Sequence, residues 1–242
     1  MRLIGVGMGP GDPELVTMKA ARLLREADRV FVPVLDPSEE GRAETTARAH
    51  LDHDRVERLV FALNERHDAA RRERHWDAAG HRVAEWLAGH GGTAVFATIG
   101  DPNLYSTFGY LASTVADLLP GVVVETVPGI TAMQALAAAS GVPLTEGAEP
   151  LLLVPLAAGA SGLAGALDHA KDGSVVAYKA GRHLAEVTKL AAEAGRLDGA
   201  VYGAHLGMPG ETVGPLTDTD GVAPYLSTVL FPGRRERRGG KL

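Results

Sequence analysis

The sequence contains no cysteine in its 242 residues. Disulfide bonds, thiolate metal sites and a nucleophilic cysteine are therefore excluded, and the composition fits a reducing cytoplasm, where we expect the protein to be located. Apolar runs that approach the roughly 18 residues of a membrane-spanning helix are also missing. The first residues lack the apolar core and cleavage site of a signal peptide, so we expect neither a signal peptide nor a membrane partner.

The sequence also has no net positive charge. The formal net charge is −6 at pH 7, which argues against general binding to nucleic acid. Apolar residues make up 45% of the sequence and charged residues 22%, which is typical of globular proteins. The length suffices for one large domain or for two smaller ones, each with its own core.

Strand-like and helix-like patterns alternate over the first 145 residues. Short runs rich in β-branched residues predict strands, and apolar residues three or four positions apart predict helices. The predicted strands lie at 2–8, 29–34, 55–63, 93–99 and 122–128, and the helical stretches at 13–27, 64–89, 104–118 and 130–140. Strands separated by helices imply βαβ units, so we expect a mainly parallel five-stranded sheet with covered faces.

A second set of patterns follows the stretch 141–150, which is rich in Pro, Gly and Glu and which we interpret as a linker. Strands are predicted at 151–154, 174–178, 199–204 and 225–230, and helices at 161–170 and 183–195. The sequence therefore predicts an α/β protein with two α/β domains, at 1–145 and 146–242.

Arginine, acidic residues and histidine are concentrated between residues 48 and 82. This segment holds eight arginines, seven acids and five histidines, a mixture typical of a salt-bridged, solvated helix face. The spacing of His50 and His53 is compatible with a metal, but no convincing ligand set surrounds the pair, so we expect no metal site. The arginines of 42–82 are candidates for binding an anionic substrate.

The loop after the first strand, GVGMGPGDPE (5–14), has the glycine content of a phosphate-binding loop. The dinucleotide motif G-x-G-x-x-G fails in every register, because Pro10, Asp12 and Glu14 occupy the positions that require its last glycine. No Gly-Lys-Ser/Thr follows, so a P-loop is excluded too. Asp12 ahead of Pro13 is instead a good helix start.

Two further loops follow predicted strands of the same sheet. Ligands bind beyond the carboxyl ends of parallel strands, where Gly100-Asp101-Pro102 and Pro128-Gly129 both lie. From its position alone, Asp101 either caps a helix that starts near residue 103 or contacts a ligand. Thr131 likewise either caps a helix or hydrogen-bonds a ligand, and the small Ala132 leaves space beside it.

Taken together and in this order, the three loops resemble the tetrapyrrole (uroporphyrin/corrin) methyltransferase family. The stretches that carry the resemblance are GVGMGPGDPELVTMKAARLLREAD (5–28), ATIGDPNLYST (97–107) and VETVPGITAMQALAAASGVPL (124–144). Two motifs, GDPNLYST (100–107) and PYLSTVLF (224–231), look most like the precorrin-2 C20-methyltransferase branch of that family, in cobalamin synthesis. The resemblance extends over nearly the whole chain and is strongest up to residue 144.

The resemblance implies an enzyme that binds S-adenosyl-L-methionine in a cleft between two α/β domains, methylates a small-molecule tetrapyrrole and releases S-adenosyl-L-homocysteine. A homodimer is usual for families of this kind, so we expect one here. The residues implied to contact the methyl donor are Gly100, Asp101, Leu104, Tyr105, Thr131, Ala132, Tyr178, Lys179 and Ala180. Pro10 and Asp12 would line the tetrapyrrole trough, and Asp101 or Tyr105 would orient the substrate or accept its proton.

Three alternatives are also compatible with the sequence. The first is a related methylase of the corrin pathway that has different regiochemistry or takes a cobalt-bearing substrate. The second is a nicotinamide-dependent dehydrogenase with a degenerate glycine loop, in which Asp36 would bind the ribose. The third is a binding or regulatory domain without catalysis.

Overall fold

The computed structural model describes residues 1–61, 69–219 and 223–235, and the chain divides into two compact units, Met1–Thr131 and Ala132–Leu242. The sequence placed this boundary at residue 145, after the helix that follows the third loop. That helix packs within the second unit, where a Cβ added to Gly203 would lie only 2.8 Å from Leu136. The division therefore falls before the helix and not after it.

The first unit is built around a five-stranded parallel sheet, which confirms the prediction. Its strands run in the order β3-β2-β4-β1-β5, and every neighbouring pair is parallel. The elements are β1 (Arg2–Gly7), α1 (Met18–Glu26), β2 (Arg29–Val34), α2 (Arg42–Arg48), β3 (Val56–Val60), α3 (Ala69–His90), β4 (Thr93–Thr98), α4 (Phe108–Leu118) and β5 (Val123–Val127). All five strands end at one edge of the sheet, here called the carboxyl edge; they begin at the opposite, amino edge.

Helices cover both faces of this sheet. Neighbouring residues of a strand point to opposite faces, so each central strand contributes to two cores. One core joins the sheet to α3 and α4 and contains Leu3, Phe31, Leu87, Phe96 and Leu111. The other joins it to α1 and α2 and contains Ile4, Leu24, Val30, Ala47 and Val95. Burial on both faces fixes the register of the strands, and with it the positions of the loops at the carboxyl edge.

The second unit contains a mixed sheet with the strand order β6-β7-β10-β8-β9. Its elements are α5 (Ala132–Ser140), β6 (Leu151–Pro155), α6 (Ser161–His169), β7 (Ser174–Tyr178), α7 (Leu184–Glu193), β8 (Val201–Ala204), β9 (Thr212–Pro215) and β10 (Ser227–Phe231). Strand β10 is antiparallel to both β7 and β8, between which it lies. The carboxyl ends of β7 and β8 therefore flank the beginning of β10.

The structure differs from the sequence prediction at several elements. Helix α2 and strand β9 were not predicted: α2 buries only small and polar residues, and β9 is a short strand that contains glycine and proline. The helix predicted over 13–27 is a 3-10 turn at Pro13–Leu15 followed by α1. The parts of the predicted elements that fall on 62–68 lie outside the described residues. Within the described ranges, no helix combines the length and apolar content needed to cross a membrane.

Candidate functional site

Three loops meet at the carboxyl edge of the first sheet, because they follow the adjacent strands β4, β1 and β5. The first loop follows β1, the second follows β4 and the third follows β5. Backbone hydrogen bonds join the first two: the Met8 N–H donates to the Thr98 carbonyl at 2.8 Å, and the Gly100 N–H donates to the Gly9 carbonyl at 2.7 Å. The first and second loops therefore continue the pairing of the sheet beyond its regular strands.

One glycine from each loop contributes to a close backbone contact, here called the glycine junction: Gly7, Gly100 and Gly129. A Cβ added to Gly7 would lie 2.6 Å from the Gly100 carbonyl oxygen and 2.6 Å from the Gly129 Cα. A Cβ on Gly129 would in turn collide with the same carbonyl oxygen of Gly100. Gly7 and Gly129 are thus required for backbone approach, a use of glycine that differs from binding a phosphate.

Asp101 ties the second loop to the third. Its Oδ1 accepts a hydrogen bond from the Asn103 N–H at 2.8 Å, and its Oδ2 accepts one from the Gly129 N–H at 3.0 Å. The helix that was expected to start near residue 103 begins at Phe108 instead, so the alternative in which Asp101 caps that helix is wrong. Asn103 adds a second link to this side of the sheet, because its Nδ2 donates to Thr126 Oγ1 at 3.1 Å.

The residues of the LYST stretch (104–107) in the second loop have different roles. Ser106 Oγ accepts a hydrogen bond from the Phe108 N–H at 3.2 Å and lies 3.2 Å from Thr98 Oγ1, which anchors the loop to the end of β4. Tyr105 has a φ of 51° and remains 41% exposed, and the half-buried Leu104 donates its N–H to the Asp101 carbonyl at 3.3 Å. Desolvation raises the pKa of the Tyr105 hydroxyl, so the phenol keeps its proton at neutral pH.

The first loop is fixed by hydrogen bonds within the loop and by contacts with α2 and the residues that follow it. Asp12 Oδ1 accepts a hydrogen bond from the Glu14 N–H at 2.8 Å, which confirms the predicted helix start. Thr46 Oγ1 donates to the Gly11 carbonyl at 3.1 Å, and His50 Nε2 lies 2.8 Å from the Pro13 carbonyl. Asp12 is half-buried and Pro10 is buried, so Pro10 shapes the loop more than it presents a surface to a ligand.

A buried carboxylate fixes α2 itself. The Glu44 side chain is fully buried, and it accepts hydrogen bonds from Arg58 Nε at 2.7 Å and from Arg48 Nε at 2.8 Å. Burial alone would raise the pKa of Glu44, but the bonds from Arg58 and Arg48 outweigh burial and hold that pKa below its ordinary value. Arg48 and Arg58, two of the arginines considered as candidates for substrate binding, therefore have a structural role instead.

Replacing Glu44 with glutamine is expected to lower the free energy of unfolding by about 2 kcal/mol, because both arginines lose a charged partner. A carboxyl whose pKa is lowered by folding contributes stability above its unfolded pKa of about 4.3, and this contribution is lost as the pH falls through the folded value. The difference between wild type and variant should therefore shrink on acidification.

Urea denaturation between pH 7 and pH 3 measures this effect. Glu57→Gln is the matched control, since Glu57 bonds Arg82 at 2.6 Å on a more exposed surface, and about 0.5 kcal/mol is expected for it. Equal losses for the two variants at pH 7 would contradict the special role of Glu44.

His50 and His53 do not form a metal site with other described residues. His50 lies against the Pro13 carbonyl, whereas His53 Nε2 lies 3.2 Å from the Leu24 carbonyl. In the part of the chain that the structure describes, no group of three or more His, Asp or Glu residues could hold a metal ion. The two rings therefore satisfy backbone carbonyls of α1 and of the first loop.

The second-unit residues implied by the resemblance lie where β7 ends. Tyr178 is buried, and its hydroxyl accepts a hydrogen bond from the Met133 N–H at 3.2 Å, which holds the first turn of α5. Lys179 adopts a left-handed φ of 62°, which is uncommon for a residue with a side chain. Ala180 is fully buried and donates its N–H to the Ser227 carbonyl at 3.0 Å. Its methyl group therefore presents no surface to a ligand.

The closing motif PYLSTVLF places two buried hydroxyl residues at the start of β10. Ser227 pairs with Ala204 of β8, and Thr228 pairs with Tyr178 of β7. The beginning of the motif's strand thus lies between the carboxyl ends of β7 and β8, next to the implied donor contacts at the end of β7.

Sequence reasoning missed His205, which directly follows β8. It shares with Lys179 a left-handed backbone, at a φ of 51°. Such strained residues concentrate at functional sites, and these two lie at the same edge of the second sheet. Nothing in the letters YGAHLG indicates a positive φ at a histidine, so the sequence carried no signal for it.

The structure therefore brings Gly100 and Asp101 together with the first and third loops. Thr131 is buried and ends the first unit, and Ala132 opens both α5 and the second unit. Tyr178 and Lys179 lie at one edge of the second sheet. The ligand contacts of all these residues stay predictions.

Several curated relatives match nearly the whole chain, and two of them are also matched over nearly their own full length. The precorrin-2 C(20)-methyltransferase of Sinorhizobium sp is 34% identical over 244 residues, which cover 98% of this chain and 97% of the relative. The cobalt-precorrin-2 C(20)-methyltransferase of Salmonella typhimurium is 30% identical over 235 residues, which cover 95% of each chain. The similarity is therefore not confined to one unit.

Solved structures share the fold. A cobalt precorrin-4 methyltransferase matches with a TM-score of 0.70 at 22% identity, over 95% of this chain and 93% of that one. A uroporphyrin-III C-methyltransferase from Thermus thermophilus, complexed with S-adenosyl homocysteine, matches with a TM-score of 0.67 at 23% identity, over 95% of this chain and 97% of that one. Both are similar to this chain over nearly their full lengths.

The family comparison decides against the dehydrogenase alternative. Asp36, which that alternative needed for a ribose, accepts hydrogen bonds from the N–H and from the hydroxyl of Ser38. The profile of the family described as Tetrapyrrole (Corrin/Porphyrin) Methylases matches residues 2–219, which span the first unit and most of the second. The chain therefore belongs to the tetrapyrrole (corrin/porphyrin) methylases, the family that its three loops resemble.

Proposed function

We propose that this chain transfers the methyl group of S-adenosyl-L-methionine to C-20 of precorrin-2, giving precorrin-3A and S-adenosyl-L-homocysteine in cobalamin biosynthesis. The observation that carries the proposal is the 34% identity to the Sinorhizobium precorrin-2 C(20)-methyltransferase over 98% of this chain. The S-adenosyl homocysteine in the Thermus thermophilus enzyme of the same fold supports the identity of the donor.

The second loop offers room for a donor beside Gly100. A Cβ added to Gly7 or Gly129 would meet backbone atoms, whereas a Cβ added to Gly100 would meet no atom within 4 Å. The φ of Gly100 is 69°, so this glycine permits a left-handed turn and leaves its outer side open. The exposed Tyr105 follows on the same loop. These features fit a ligand held against the backbone of the second loop.

S-adenosyl-L-methionine supplies an electrophilic methyl group bonded to a positively charged sulfur. The main task left to the protein is to hold the reactants close and aligned, which in favourable cases lowers a barrier by about 7–11 kcal/mol. Carbonyl groups at loop ends suit the sulfonium better than a carboxylate does, because the positive charge fades in the transition state. The contacts of Asp101 fit a structural role and not a contact with the sulfonium, because both of its oxygens accept hydrogen bonds from backbone N–H groups and hold the loops together.

The carbon that receives the methyl group afterwards loses a proton. Tyr105 keeps its own proton at neutral pH, because desolvation raises its pKa, so we assign its hydroxyl to hydrogen bonding and not to proton abstraction. The role of Asp101 as proton acceptor stays a prediction, and its contacts with the Asn103 and Gly129 N–H groups support a positioning role.

Cobalt-precorrin-2 is the second candidate substrate. The Salmonella relative, at 30% identity over 95% of the chain, is named for the cobalt-bearing compound. The second and third loops, which carry the implied donor contacts, do not distinguish the two macrocycles, because they contribute no metal ligand set among the described residues.

Anaerobic incubation with S-adenosyl-L-methionine and either precorrin-2 or cobalt-precorrin-2 tests the proposal. We expect one methyl group at C-20, identified by mass spectrometry and by NMR with a ¹³C-labelled donor, and calorimetric binding of S-adenosylhomocysteine without binding of NAD. A methyl group at another carbon would overturn the regiochemistry, and no transfer to either macrocycle would overturn the proposed function.

The assembly and the location follow from the resemblance and the composition only. We propose a cytoplasmic homodimer, which light scattering coupled to size-exclusion chromatography tests for the assembly. A mass equal to that of a single 25.3 kDa chain would contradict it.

A further inference from the structure

We infer that Arg42 binds a carboxylate of the tetrapyrrole substrate and helps to orient the macrocycle at the carboxyl edge of the first sheet. This inference rests on the proposed function, because precorrin-2 carries several acidic side chains around its ring. Arg42 is the first residue of α2, which follows β2 through the loop 35–41. It therefore lies where α2 leaves the carboxyl edge.

Arg42 belongs to a row of residues that faces the first loop. Thr46 follows it by four positions within α2, the spacing that places side chains on one side of a helix, and His50 lies two residues beyond the end of that helix. Thr46 bonds the Gly11 carbonyl at 3.1 Å, and His50 lies 2.8 Å from the Pro13 carbonyl. The row thus runs along the loop that the resemblance assigns to the tetrapyrrole trough, and Arg42 occupies its end at the carboxyl edge.

Three other arginines of this region are engaged elsewhere. Arg48 and Arg58 bind the buried Glu44, and Arg82 binds Glu57 at 2.6 Å. Among the described residues, no hydrogen bond or ion pair engages the Arg42 guanidinium. Its charge is therefore available to a ligand at a place where the surrounding helix is fixed.

The chemistry of Arg42 matches a carboxylate. A guanidinium presents parallel N–H donors that fit the two oxygens of a carboxylate, and such charge-assisted pairs are stronger than neutral hydrogen bonds. Neighbouring protein atoms desolvate the Arg42 side chain and lower its pKa, although the residue as a whole stays exposed. A substrate carboxylate would supply the negative partner that the described residues do not provide for Arg42.

The test compares Arg42→Ala and Arg42→Lys with wild type in steady-state methylation of precorrin-2. We expect Arg42→Ala to raise KM about tenfold with kcat changed less than twofold, and Arg42→Lys to restore part of the loss. Added salt should raise KM more steeply for wild type than for Arg42→Ala. Binding of S-adenosylhomocysteine, measured by calorimetry, should stay unchanged in both variants.

Arg2→Ala is the matched control, because Arg2 begins β1 at the amino edge and pairs with Glu125. Its KM should equal that of wild type. An unchanged KM for Arg42→Ala, or a larger rise for Arg74→Ala on α3, would overturn the assignment.

The outcome for Arg42 can be separated from the outcome for the proposed function. Fluorescence titration with uroporphyrin, a stable tetrapyrrole polycarboxylate, measures macrocycle binding without methyl transfer. Weaker binding by Arg42→Ala than by Arg2→Ala would support Arg42 even if C-20 is not the methylated carbon. Equal binding by the two variants would refute the role of Arg42 even if wild type methylates C-20.

Discussion

Replacing Asp101 with alanine is expected to lower kcat/KM by about a hundredfold while the protein stays folded. The carboxylate accepts the Asn103 N–H at 2.8 Å and the Gly129 N–H at 3.0 Å, so alanine releases the second loop from the third. The two freed N–H groups lie near solvent, which limits the loss of stability to about 1–2 kcal/mol. Displacement of the loops by about 1 Å suffices for the loss of activity, because methyl transfer depends on alignment.

Asp101→Asn separates positioning from proton transfer. Asparagine can still accept the Asn103 N–H through its carbonyl oxygen, but its amide group cannot accept the Gly129 N–H. If Asp101 positions the loops, Asp101→Asn should keep more activity than Asp101→Ala, with an unchanged pH dependence of kcat. If Asp101 accepts the proton, both variants should lose activity equally, and the pH profile should lose its acidic limb, the fall in activity at low pH.

Asp28→Ala provides the control for loss of an aspartate that bonds the backbone. Asp28 Oδ2 accepts the Thr93 N–H at 2.8 Å, but it does so at the amino edge of the sheet. We expect a similar loss of stability with normal kcat/KM per folded molecule. A comparable loss of activity for Asp28→Ala and Asp101→Ala would contradict a local role for Asp101.

The sequence predicted the first sheet and the order of its loops well, because buried parallel strands leave a strong apolar signal. Strands such as 29–34 and 93–99 were placed within one residue of β2 and β4. The absence of the G-x-G-x-x-G motif was equally informative. The residue types at positions 10, 12 and 14 alone argue against a dinucleotide-binding loop. Gly7 of that loop serves another role in the fold, which is close contact with Gly100 and Gly129.

Features that depend on long-range contacts could not be predicted. Helix α2 was not predicted because its buried face carries the charged residue Glu44. The burial of Glu44 is compensated by its hydrogen bond with Arg58, a residue 14 positions away in the sequence. The cross-link from Asp101 to Gly129 spans 28 positions, so position alone left cap and contact undecided. Arg42 can be distinguished from Arg48, Arg58 and Arg82 only once the partners of those three arginines are known.

Arg196 is expected to be the largest single contributor to the stability of the second unit. It is buried, and its guanidinium donates to the carbonyls of Ala170 at 2.8 Å, Gly173 at 2.9 Å and Pro232 at 3.0 Å. One side chain therefore joins the end of α6, the turn before β7 and the residue after β10. Desolvation lowers the pKa of Arg196, and the nearby Arg234 lowers it further, so the carbonyls compensate a buried cation.

Arg196→Met should lower the free energy of unfolding by about 3–5 kcal/mol, because methionine fills the space but leaves several buried carbonyls without donors. Arg196→Lys should recover only part of this, since one ammonium cannot reach all of the carbonyls. Arg234→Ala is the matched control: Arg234 is exposed and donates to the single carbonyl of Gly195 at 2.9 Å, so less than about 1 kcal/mol is expected.

Hydrogen exchange read by mass spectrometry localises the effect of Arg196→Met. Amides of β7 and β10 should exchange faster, whereas those of β1 and β4 should keep their protection, because the two units have separate cores. Faster exchange in both sheets would show that the units unfold together, and a loss no larger than that of Arg234→Ala would refute the role of Arg196. Selective loosening would instead mean that a contact at the opposite edge of the second sheet stabilises Tyr178 and Lys179 in their folded positions.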